Sequence, residues 1–135
     1  HCIYGTQGAE FVPATKPDVA YVLDWRDKTL DERLLAGHRS IVLTKDDFDV
    51  FHETHGSPHA EGVLAYLKPE RAFVYGVATN VCVDFAVKGL LERGLDIYVV
   101  KGAIKGLPGI HDPTTAWLAR GIRLVETATI EQYLR

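Results

Sequence analysis

The 135-residue chain contains no methionine and only two cysteines, Cys2 and Cys82. Two thiols do not make the disulfide framework of a small secreted fold, so a reducing, cytoplasmic compartment is expected. No apolar run approaches the roughly 18 residues that span a bilayer, and no stretch resembles a signal peptide. A net charge of −3 carries no excess pointing to nucleic acid or an anionic membrane as partner. Internal repeats and low-complexity tracts are absent as well. What is present is 47% hydrophobic content over a length sufficient for one domain, 1–135, with a real core.

The order of elements is written in alternating periods. Residues 1–18 are rich in Gly, Pro and Thr and read as loop. Residues 19–23 and 40–44 are short apolar, β-branched runs and predict strands. Ser57 offers an N-cap, Pro58 a first helical position and Glu61 a first-turn acid, opening a helix through about residue 67. Residues 72–77 form a near-continuous apolar run, as expected of a strand covered on both faces. Val83, Ala86, Val87, Leu90 and Leu91 then make a helical apolar stripe that Gly94 ends. A strand at 97–100, a helix at 111–120 closed by Gly121, a strand at 122–125 and a short helix at 130–134 complete the chain. Strands alternating with helices predict an α/β fold: three layers, α/β/α, around a parallel central sheet with right-handed crossovers.

Ligands of such a sheet gather at the carboxyl ends of its strands. Cys82 falls there, past the strand that ends near Val77 and in the first turn of the next helix. Free N–H groups and the helix dipole at that place lower a thiol's pKa and can receive an oxyanion. A buried structural thiol is the competing reading, and position alone does not separate the two. Lys45 emerges from the 40–44 strand on the same rim, where it would hold a thiolate or sit solvated at the surface. Phe48 and Phe51 either wall an aromatic pocket or fill core. Asp46, Asp47 and Asp49 read as solvated loop acids. His52, His55 and His59 read as surface histidines, because their spacing is not that of a helical zinc motif and Ser57-Pro58 interrupts any helix between them.

Three blocks stand in order along the chain: His1-Cys2-Ile3-Tyr4-Gly5-Thr6-Gln7-Gly8-Ala9-Glu10; Thr44-Lys45 with Phe48-Asp49-Val50-Phe51; and Gly76-Val77-Ala78-Thr79-Asn80-Val81-Cys82-Val83. Together they resemble the isochorismatase-like cysteine hydrolases, and within them the nicotinamidases. The resemblance spans nearly the whole chain, residues 12–39 being its least diagnostic part.

The resemblance implies a cysteine–lysine–aspartate triad that hydrolyses nicotinamide through a thioester on Cys82, with Lys45 at the thiolate. It implies a cis Val77–Ala78 peptide and an oxyanion hole built from the Ala78 and Cys82 N–H groups. Phe48 and Phe51 would line the substrate pocket, though Asp49 stands where comparable nicotinamidases carry serine, so the pocket's polar lining differs. His1 would be one ligand of a divalent metal, zinc or iron. The remaining ligands and the triad's aspartate are expected upstream of His1, in a missing strand–helix–strand unit, so the 135 residues are expected to be inactive alone. Cys2 would pack structurally. The partners implied are a small amide and a second copy of the chain, with Trp25 and Tyr133 as contact or core residues. Other readings of the same fold are carbamoyl-amide or isochorismate hydrolysis, and a non-catalytic member that binds a small ligand or partner.

Overall fold

The computed structural model describes residues 2–134. The strands are β1 (Tyr21–Leu23), β2 (Ile41–Leu43), β3 (Arg71–Val77), β4 (Asp96–Lys105) and β5 (Arg123–Val125). The α-helices are α1 (Glu32–Gly37), α2 (Ala60–Leu67), α3 (Asp84–Glu92) and α4 (Thr114–Ala119). All strand pairs are parallel, but Val22 of β1 and Tyr75 and Val77 of β3 are exposed among the described residues, where the apolar run of β3 predicted a strand covered on both faces. The single sheet expected from the sequence is divided among the described residues: β1 pairs with β2, and β3, β4 and β5 form a separate sheet in that order.

Period-two alternation in β4 builds two layers of core at once. Ile97 and Val99 point to one face, where they meet Val83 and Val87 of the α3 side and Trp117 of α4. Tyr98 and Val100 point to the other, against Val125, Phe73, Ile130 and Tyr133. The terminal segment Thr127–Tyr133 that covers this second face is a 3₁₀ helix, where the sequence predicted a short helix at 130–134. A third cluster, Leu23, Leu35 and Val63, packs α1 and α2 on the two-stranded sheet. The β3–β4 register slips between Val74, opposite Val99, and Gly76, opposite Ile104. That slip lets β4 run five residues beyond the predicted 97–100 strand.

The helix termini follow local chemistry. α1, which the sequence reading passed over, starts at Asp31, whose carboxylate accepts the Arg33 N–H at 2.9 Å. α2 begins three residues after Ser57 instead of beside it, because Ser57 builds a tight turn first: its carbonyl accepts the Ala60 N–H and its hydroxyl the His59 N–H. α3 ends as predicted at Gly94, whose φ of +82° is a left-handed position that glycine adopts without steric cost. The Leu95 N–H reaches back to the Leu90 carbonyl and the Gly94 N–H to that of Leu91, closing the helix.

Residues 2–16 are exposed throughout and turn locally at Gln7–Ala9 and Pro13–Thr15, and the Tyr4 ring lies 5.0 Å from the Arg26 guanidinium. Cys2 is exposed among the described residues, where the sequence reading expected it to pack. No helix among the described residues is long and apolar enough to cross a membrane.

Candidate active site

β3 delivers the chain to a peptide bond between Val77 and Ala78 that is cis, followed by a π-helical turn, Thr79–Val83, that leads directly into α3. The Ala78 carbonyl accepts the N–H groups of Val81 and Val83, both at 3.1 Å, and so fixes the curl of the turn. Cys82 lies within it, half-buried, its thiol free of any disulfide. The position differs from the expected first turn of an α-helix: the wider π turn carries the sulfur and α3 starts two residues later.

The second candidate side chain arrives from the other sheet. β2 ends at Leu43, and the Thr44 N–H continues the ladder to the Leu23 carbonyl at 3.1 Å while the Thr44 hydroxyl accepts the Trp25 N–H at 2.9 Å. With Thr44 pinned, Lys45 leaves the strand end toward Cys82, and its Nζ lies 4.0 Å from Sγ. The same ammonium donates to the carbonyls of Asp47 and of Phe48, the latter at 3.0 Å. An ammonium has three N–H donors, and three electron-rich atoms converge on it. Among the described residues it makes no ion pair with a carboxylate.

The loop that supplies these carbonyls is shaped by its own acids. The Asp47 carboxylate accepts the Asp49 N–H at 2.8 Å, which holds its carboxyl below the usual range, and that of Asp49 accepts the Phe51 N–H at 2.9 Å. The Asp46 N–H donates to the His55 carbonyl at 2.8 Å and closes the loop. At the end of β1, Asp24 is held at about 2 by the Arg26 guanidinium and then by the Arg26 backbone N–H.

The other predicted residues are distributed unequally. The Phe48 ring is 55% exposed beside the Lys45–Cys82 pair that its carbonyl helps hold. Phe51 is used differently: its ring packs on Gly89 of α3 and carries the Arg93 guanidinium 3.8 Å above its centroid. A Cβ added at Gly89 would overlap that ring, so the missing side chain is what admits the phenylalanine. His52 and His55 are exposed as expected. His59 corrects the surface reading: it is 2% exposed, because the turn before α2 tucks it under the end of β1, where a ring nitrogen meets the Asp24 carbonyl at 3.1 Å. His1 lies outside the described residues. Among the described residues no group of three or more His, Cys, Asp or Glu is disposed to hold a metal ion, so these residues alone do not fit one.

Asn80 of the cysteine motif and Asp84, the first residue of α3, have roles that sequence reasoning missed. The Asn80 amide bonds the backbone of Leu107 and Ile110, and the Asp84 carboxylate accepts the buried Trp117 indole N–H at 2.8 Å. Their only signal was polarity inside an otherwise apolar or small-residue motif. A groove of about 720 Å³ lies along the β4–α4 connection, bordered by Thr79, Asn80, Ile104 and Leu107, but neither Cys82 nor Lys45 lines it.

Residues 1–129 match the isochorismatase domain family. The chain belongs to that family. A curated relative, the nicotinamidase of Acinetobacter baylyi, is 27% identical over 135 residues, covering 96% of this chain and 57% of the relative. The isochorismatase family protein of Desulfovibrio vulgaris superposes with a TM-score of 0.71 at 21% identity, over 98% of this chain and 59% of that one. The pyrazinamidase of Pyrococcus horikoshii, solved in complex with zinc, superposes with a TM-score of 0.61 at 24% identity, over 93% and 61%. The isochorismatase-like fold of these neighbours, parallel strands flanked by helices, is thus the fold of this chain. The chain spans less than two thirds of the length of each of these three proteins.

Proposed function

We propose that this isochorismatase-family protein is a cysteine amidohydrolase that converts nicotinamide to nicotinate and ammonia. The observation that carries the reading is the 4.0 Å approach of the Lys45 ammonium to the Cys82 sulfur at the carboxyl ends of two parallel strands. The nicotinamidase relative supports the choice of amide.

In this reading the Cys82 sulfur attacks the amide carbonyl carbon, and a C–S bond forms as negative charge moves onto the oxygen. The N–H groups of Ala78 and Cys82 receive that oxygen, and Lys45 stabilises charge first on sulfur and then at the reacting centre. The C–N bond breaks, and the nitrogen leaves as ammonia with the proton that the thiol gave up. Water then adds to the thioester, the C–S bond breaks, nicotinate departs and the thiol is restored. The resemblance assigns the proton relay to an aspartate that is not among these 135 residues. Phe48 offers its exposed face to the pyridine ring, and Phe51 holds the loop behind it. His1 is proposed as a ligand of zinc or iron; no step above passes through the ion. Residues 1–135 are proposed to belong to one hydrolase domain.

The test is ammonia release from nicotinamide by the protein at its full encoded length, beside the Cys82→Ala variant. Release that the variant loses supports the assignment. Absence of release from folded, metal-loaded protein overturns nicotinamide as the substrate.

A further inference from the structure

The connection between β4 and α4 folds back over the turn that carries Cys82, held by Asn80 of the cysteine motif, while Asp84 of α3 holds α4 just beyond it. Asn80 holds the near end. Its Nδ2 donates to the carbonyls of Leu107 at 2.9 Å and Ile110 at 3.0 Å, and its Oδ1 accepts the Leu107 N–H at 2.9 Å. Both amide N–H donors and the amide oxygen are used, so the side chain works as a strand-like bridge to Leu107 with an added tie to Ile110. Asp84 holds the far end through the indole N–H of Trp117, which is fully buried.

The two holds differ in what they fix. Asp84 lies in α3, whose backbone bonds already set its place. Asn80 lies in the five-residue π turn, two positions before Cys82, and ties it to a loop outside the turn, whereas the Ala78 carbonyl bonds only within it. The neighbouring hydroxyl, Thr79 Oγ1, is buried with no partner among the described residues. A rotation of the turn that freed Asn80 would carry the sulfur with it.

We propose that Asn80 is a positioning residue for Cys82: by clamping the 107–110 loop it fixes the π turn, and through it the sulfur opposite Lys45. The inference rests on Cys82 being the reactive group, and its test separates the two. An aspartate cannot replace the amide, because a carboxylate oxygen would face the two carbonyls to which Nδ2 now donates.

The experiment is iodoacetamide alkylation of the protein at its full encoded length at neutral pH, with modification at Cys82 and at exposed Cys2 resolved by mass spectrometry. Cys2 is the internal reference, and amide exchange at Leu107 reports the clamp. In Asn80→Ala and Asn80→Asp the Cys82:Cys2 rate ratio is expected to fall about tenfold, the scale of a lost net hydrogen bond, with faster Leu107 exchange. Val125→Ala, a truncation in the separate Tyr98–Val100–Val125 cluster that lowers global stability, is expected to keep the ratio. A ratio unchanged in both Asn80 variants, or lowered as much by Val125→Ala, overturns the positioning role. If Cys82 in the unsubstituted chain reacts no faster than Cys2 and the ratio still falls in the Asn80 variants, the clamp stands and the nucleophile reading fails.

Discussion

At the scale of single residues, the meeting of Lys45 and Cys82 across 37 positions of sequence is the central fact. Each was visible beforehand as a strand-end residue, but neither strand says how far it lies from the other. Lys45 is aimed by what surrounds it: Thr44 is fastened to β1, and the carbonyls of Asp47 and Phe48 take two of its donors. If the ammonium stabilises charge on the sulfur, Lys45→Met, which keeps the length and removes the cation, should slow alkylation of Cys82 about tenfold or more while leaving Cys2 unchanged. Equal slowing at both thiols, or none, would show that the 4.0 Å approach has no chemical consequence. His59 and Phe51 mark the limit of residue-level reading. A histidine in a Ser-Pro-His turn looks solvated until β1 lies over it, and a phenylalanine near a reactive lysine looks like a pocket wall until a glycine on α3 makes room for it.

Among the elements, those with strong local signals were legible. The apolar run of β3, the stripe of α3 and the glycine that ends it come from contiguous residues, and the structure keeps all three. α1 was not legible because six residues give less than two turns of periodicity, although Asp31 carried a usable capping signal. The end of α2 holds a local conflict. Lys68 closes the helix at φ +46° and ψ +51°, and Pro69 prevents the helix from continuing. A side chain with a Cβ is disfavoured by about 1–2 kcal/mol in that left-handed conformation, which glycine adopts freely. Lys68→Gly is accordingly expected to stabilise the chain by about 1 kcal/mol after glycine's greater unfolded-state entropy is subtracted. Urea denaturation measures it, and a midpoint that falls would mean that Lys68 makes contacts worth more than the backbone cost.

For the whole molecule, the question is what joins the two sheets. One joint is the Lys45–Cys82 approach; another lies along α2 and α3, where Arg93 bonds the Glu61 carboxylate, donates to the Gly89 carbonyl at 2.7 Å and covers the Phe51 ring. The Arg93 hydrogen bond holds the Glu61 carboxyl below its ordinary range. A carboxyl depressed in the folded state contributes stability above its unfolded pKa, near 4.3, and loses that contribution as pH falls through the folded value. The chain should therefore lose more stability between pH 7 and pH 3.5 than Glu61→Gln does, by about 0.5 kcal/mol or less, because the carboxylate is exposed. Denaturant titrations at the two pH values compare them, and identical losses would remove the pair from the joint. The sequence by itself determined the α/β class, the order of the strands and of α2, α3 and α4 among them, and the motif that carries Cys82, since each depends on contiguous residues and local periodicity. Only the tertiary structure decided that the strands form two sheets, that Phe51 serves α3, that His59 is buried and that Asn80 grips Leu107. Those outcomes depend on which distant surfaces meet, and hydrophobic burial and hydrogen-bond satisfaction choose that for the chain as a whole.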